Sequence, residues 1–119
     1  MIKVLEGSSG HVLGMEVSGR VRKEQVKEIE ARSEDIIKEH GKLSCLCVLN
    51  GFRGYDFGSL WEDTKFLSKY YKEVDRIAVV GDRKWESVMV KMDAALSRGR
   101  EKYFDISNLD EAWKWVRGD

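Results

Sequence analysis

The chain has 119 residues, 42% hydrophobic and 35% charged, with 21 basic side chains against 21 acidic ones. That length and composition fit one globular domain over 1–119 with a single core, and exclude a disordered chain. A net charge of zero removes the field that would draw the protein onto nucleic acid or an anionic membrane.

No apolar stretch approaches the ~18 residues of a membrane span. Met1 to Glu6 is too short and too early charged to read as a signal peptide. A cytoplasmic protein without stable membrane insertion is therefore expected. Proline is absent, and no segment has the composition of a linker.

The first two apolar runs, Ile2 to Leu5 and Val12 to Ser18, flank Gly7-Ser8-Ser9-Gly10 and predict an antiparallel hairpin. In the second run Leu13, Met15 and Val17 share one side, and Gly19 is expected to break the strand. From Lys23 to His40 the chain is dense in Glu and Lys. Val26, Ile29, Ser33, Ile36 and Ile37 recur at helical spacing, so one stripe faces a sheet and the charged back faces solvent. Gly41 is placed to cap that helix.

Leu43 to Leu49 is nearly all apolar, the pattern of a strand buried on both faces, and Asn50-Gly51 reads as its end. Its two cysteines, Cys45 and Cys47, point to one side. Two ligands are too few for a structural zinc site, so they read as small buried hydrophobes, with no metal and no cofactor. After the glycine-rich stretch 51–58, Ser59 and Glu62 form a capping box for a second helix, Leu60 to about Tyr71. Leu60, Trp61, Thr64, Leu67 and Tyr71 make its inward stripe. Phe66 and Tyr70 fall off that stripe, either covered by a neighbouring helix or exposed as a patch for a partner subunit (a homodimer surface) or for an apolar ligand.

Arg76 to Val80 is another buried strand, and Asp82 after it can cap a third helix whose stripe is Trp85, Val88, Met89, Met92 and Leu96. That stripe is either core filler or the wall of an adaptable apolar pocket. Gly99 ends the helix, Glu101 to Phe104 forms the last strand, and Asp105 leads into a final helix. Ser107 and Asp110 look like its capping box, with Leu109, Ala112, Trp113 and Val116 inward. The order β-β-α-β-α-β-α-β-α predicts an α/β domain with a mixed, mostly parallel sheet and right-handed crossovers.

Motifs of catalysis are missing. No Gly-Lys-Ser/Thr follows a glycine-rich turn, and Gly51, Gly54 and Gly58 are spaced too widely for a dinucleotide fingerprint. There is no Gly-x-Ser-x-Gly elbow. The histidines, His11 and His40, lie away from the strands' carboxyl ends, where a site is expected. Acids do collect there: Asp56, Glu62, Asp63, Asp82 and Asp105. Acids at helix starts also serve as caps and dipole partners without any further role. Ser59 has the same two readings, as a cap or as a site for a phosphoryl group among free N–H donors.

Four segments together resemble a known family: Val12-Leu13-Gly14-Met15-Glu16-Val17-Ser18-Gly19, Leu60-Trp61-Glu62-Asp63, Arg76-Ile77-Ala78-Val79-Val80-Gly81-Asp82 and Tyr103-Phe104-Asp105. They look like the SpoIIAA-like proteins of the STAS superfamily. The resemblance implies a five-stranded sheet in the order 1-2-3-4-5, packed with helices. Its better-understood relatives are anti-sigma-factor antagonists that bind a partner kinase. They are phosphorylated on a serine at the start of the helix after the central strand. At the matching place this chain reads Asp56-Phe57-Gly58-Ser59: Asp56 is kept, Phe57 stands where the modified serine would be, and Ser59 follows at the cap.

The same fold class includes CRAL-TRIO lipid-transfer domains. Two functions from different classes follow. One is a non-catalytic binding or regulatory module acting through Asp56, Phe57, Gly58 and Ser59 on an unknown protein partner. The other is a carrier of a small apolar molecule or lipid in a pocket lined by Phe57, Trp61, Trp85 and Met89.

Overall fold

The computed structural model describes residues 1–55, 65–66, 68–70, 72–82 and 101–118. Five strands form one sheet in the order β1-β2-β3-β4-β5: β1 (Ile2–Val4), β2 (Val12–Val21), β3 (Leu43–Tyr55), β4 (Val74–Gly81) and β5 (Glu101–Asp105). β1 runs antiparallel to β2 and the remaining neighbours are parallel, so the sheet is mixed as the opening hairpin implies. Helix α1 spans Lys23–His40, helix α2 spans Leu109–Arg117, and residues 65–66 and 68–70 are helical.

The hairpin connection is held by a side chain. Ser8 Oγ accepts from the Gly14 N–H at 2.8 Å and donates to the Gly14 carbonyl at 3.2 Å. α1 begins where the Gln25 side chain accepts from the Arg22 N–H at 3.0 Å, which satisfies a donor the helix cannot. It ends at Gly41, whose N–H donates to the Ile37 carbonyl at 2.8 Å.

α2 covers one face of the sheet, where Val12, Leu46, Val48, Ala78, Val80, Phe104, Ala112 and Val116 form one buried cluster. Trp113 completes it. A Cβ built on Gly14 would run into the Trp113 ring, so the indole can settle there only over a residue without a side chain. On the other face α1 closes over two separate clusters, Leu13 with Leu43 and Phe66, and Val17 with Val21 and Val26. Half-buried Met15, Cys45 and Cys47 lie against these clusters.

Four expectations are corrected. Gly19 does not end β2, which continues to Val21, and Asn50-Gly51 does not end β3, which continues for 13 residues to Tyr55. The pair stays together through register shifts after Val17 and after Gly19, where β3 uses extra residues. Gly51 at φ 65 absorbs one such bulge, so the Asn-Gly signal of a turn is spent on bending a strand. Phe66 and Tyr70, placed off the inward stripe by helical spacing, pack inward. Phe66 is buried with Leu13 and Leu43, and Tyr70 lies against its ring at 4.8 Å. Residues of the sheet and α1 cover Phe66 and leave Tyr70 half-buried beside it, so of the two readings the covered one fits Phe66. Lastly, the final helix does not start with a Ser107–Asp110 box. The Asp105 carboxylate accepts from both the Ser107 N–H and its hydroxyl, capping a short 3-10 turn before α2.

Candidate functional site at the carboxyl end of the central strands

β3 has β2 on one side and β4 on the other, and its pairing with β4 stops at Val48–Val80. Beyond that point β2 and β3 continue as a two-stranded arm, with Gly19 opposite Phe52, Arg20 opposite Gly54 and Val21 opposite Tyr55. Val21 is fully buried and Phe52 half-buried on the α1 side, which fixes how the arm is turned. Arg20, Arg22 and Arg53 are exposed on it.

The arm delivers the chain to 56–59, the stretch expected to work. Asp56, Phe57, Gly58 and Ser59 lie outside the described residues, as do Trp61, Glu62, Asp63, Trp85 and Met89. So do the Ser59–Glu62 capping box and the third helix. Of the other carboxylates, Asp82 and Asp105 meet at the same edge of the sheet, since Gly81 pairs with Asp105. Asp105 holds Ser107, and the Asp82 backbone carbonyl accepts the Tyr103 hydroxyl. Asp105 is thus engaged as a cap, one of the two roles open to such acids.

The histidines sit at the opposite, amino edge. The His11 carbonyl accepts the Ser44 N–H at 2.8 Å, tying the start of β2 to β3. Its imidazole pKa is pushed below the ordinary value of 6.5 by burial, then by the Lys42 and His40 charges, against the opposing pull of Asp75. A groove of about 290 Å³ opens between the β1–β2 connection and α1 near this edge. Val12, Leu13 and Ile36 form its floor, with Arg32 and Asp35 beside them. Cys45 and Cys47 are unbridged, and no group of three or more His, Cys, Asp or Glu side chains among the described residues could hold a metal. No described helix is long and apolar enough to cross a membrane.

Arg20, Arg22 and Arg53 were not singled out from the sequence. A usable signal existed in Gly19-Arg20-Val21-Arg22 and Gly51-Phe52-Arg53-Gly54, two glycine-started basic stretches at the ends of apolar strands. Their juxtaposition depends on the bulged register, which periodicity does not show.

A family profile described as SpoIIAA-like matches residues 12–117. One solved structure of similar fold is an uncharacterised protein from the DUF3478 family with a SpoIIAA-like fold, from Shewanella loihica PV-4. It is 18% identical with a TM-score of 0.76, over 98% of this chain and 92% of that one. Another is the anti-sigma factor antagonist SpoIIAA in its unphosphorylated form, 13% identical with a TM-score of 0.59, over 100% of both chains. Among curated proteins there is no match.

Proposed function

The chain belongs to the SpoIIAA-like family, and from that premise we propose that it is a non-catalytic binding and regulatory module working at the carboxyl end of β3. Its contact surface is the stretch Asp56-Phe57-Gly58-Ser59 and the residues that follow, and its partner is another protein.

The observation that carries this reading is the length of β3. A 13-residue strand at the centre of the sheet, carried past β4 by its pairing with β2, leads directly into 56–59. A site mounted on a strand end in this way can change its residues without disturbing the core. One protein of the same fold is an anti-sigma factor antagonist whose unphosphorylated form is distinguished, which supports a partner-binding role and a modification at this fold. In this chain Ser59 is the proposed place of such a modification, because Phe57 stands where the family pattern has its serine.

The test is native mass spectrometry of the protein purified gently from its own host, repeated for Asp56→Ala, Phe57→Ala and Ser59→Ala. The reading expects a second protein that stays attached to the wild type and is lost from the loop variants. A covalent gain of about 80 Da, the mass of an added phosphate, that disappears in Ser59→Ala would identify the switch. A small apolar molecule released on denaturation would overturn this reading in favour of a carrier.

A further inference from the structure

We infer that Arg20, Arg22 and Arg53 form a cationic docking surface for an acidic segment of the partner protein. The inference rests on the proposed loop site and names the chemistry of what that site receives.

Arg20 lies opposite Gly54 in the β2–β3 register, one residue along β3 from Arg53. Arg22, in extended conformation, projects to the same side as Arg20, two residues away, while Val21 between them points into the core. Lys23 follows at the first turn of α1. The stretches 17–23 and 43–55 contain no carboxylate, so within them nothing offsets these charges. All three arginines are exposed, and no hydrogen bond or ion pair to a described residue engages their guanidinium groups.

The amino edge makes the contrast. Its exposed lysines, Lys38, Lys42 and Lys72, alternate with Glu39, Glu73 and Asp75 along the chain. Within its two strand stretches, 17–23 and 43–55, the arm thus carries charge of one sign, with Glu24 and Asp56 next along the chain. Arginine suits carboxylate partners, because its planar fork can bind both oxygens at once. A continuous polyanion fits less well, since Glu24 and Glu28 stand exposed on α1 just beyond the patch and would repel it.

The experiment uses the full chain and a fluorescein-labelled peptide of three glutamates separated by glycines, read by fluorescence anisotropy at low ionic strength. Wild type is expected to bind, and Arg20→Glu/Arg22→Glu/Arg53→Glu to bind about tenfold more weakly or worse, as three exposed charge contacts would give. The matched reversal Lys38→Glu/Lys42→Glu/Lys72→Glu should bind nearly as wild type does. Equal loss in the two triple variants, or no binding by wild type, overturns the inference. Tighter binding of a single-stranded oligonucleotide or of anionic vesicles than of the peptide also overturns it, and assigns the patch to those ligands instead. The loop reading is judged separately. If the natural partner leaves Asp56→Ala and Ser59→Ala but stays on the arginine variant, the site stands and this inference fails.

Discussion

Under α2 the sheet presents one continuous cluster, from Val12 through Leu46, Val48, Ala78 and Val80 to Phe104, closed by the Trp113 ring over Gly14. Under α1 the buried residues split into two groups, with Met15 packed against both and Cys45 and Cys47 against one each. The difference lies in what each helix brings. α2 supplies Ala112, Val116 and two tryptophans to a small area, whereas α1 spreads Val26, Ile29, Ile36 and Ile37 along its length and needs Phe66 from another segment. One face is closed by shape and the other by assembly of distant pieces. The charged arm rises from the same two strands that both faces share, β2 and β3, so it has a firm base on either side.

The largest expected effect falls on the assembled face. Phe66→Ala removes a buried ring from the Leu13–Leu43 cluster and should cost about 3–5 kcal/mol in denaturant unfolding, the usual range for a buried aromatic. A cost below about 1 kcal/mol would mean that the α1 face does not depend on that ring. Next comes the face closed by shape. Gly14→Ala drives a methyl into the Trp113 ring and should cost about 1–3 kcal/mol. Combined with Trp113→Phe, the two costs should be less than additive, because the smaller ring yields the space. Additive costs would place the strain elsewhere.

Much of this was legible in the sequence. The apolar run 43–49, the stripe of α1 and the Gly41 stop lead directly to strand, helix and cap, because each is a local pattern with one structural answer. Gly19 and Asn50-Gly51 misled because a bulge uses the same residues as a turn, and only the neighbouring strand decides between them. Phe66 left two readings open for a related reason: helical spacing places a side chain on the helix surface, but the surroundings decide which part of that surface is covered. At the candidate site, the expectation of a site after β3 came from the strand–glycine–helix order, and its residues lie outside the described ones. The arginine cluster could not be read from the sequence, since it is created by pairing residues more than thirty positions apart.

Smaller effects sharpen the contrast between structural and working residues. Asp105→Ala removes the acceptor for the Ser107 N–H and hydroxyl and should cost about 1 kcal/mol, the range of a lost cap, without changing partner binding. His11 gives the smallest effect, with a definite sign. Its folded pKa lies below the unfolded value, so the neutral ring is favoured in the native state. The contribution is complete above the unfolded pKa and is lost as pH falls towards the folded one. The melting temperature should therefore drop slightly between about pH 7.5 and about pH 5.5, and His11→Gln should flatten that drop. A rise on acidification would contradict the assignment.

The central claim is that this protein works from the carboxyl end of β2 and β3, with the α2 face as its fixed support. Hydrogen exchange on the complex with its co-purified protein partner tests that claim most directly. Protection on binding is predicted at residues 20–22 and 52–59, with Leu109 to Arg117 unchanged. Protection concentrated on α2, or at the amino edge around His11 and Lys42, would contradict it.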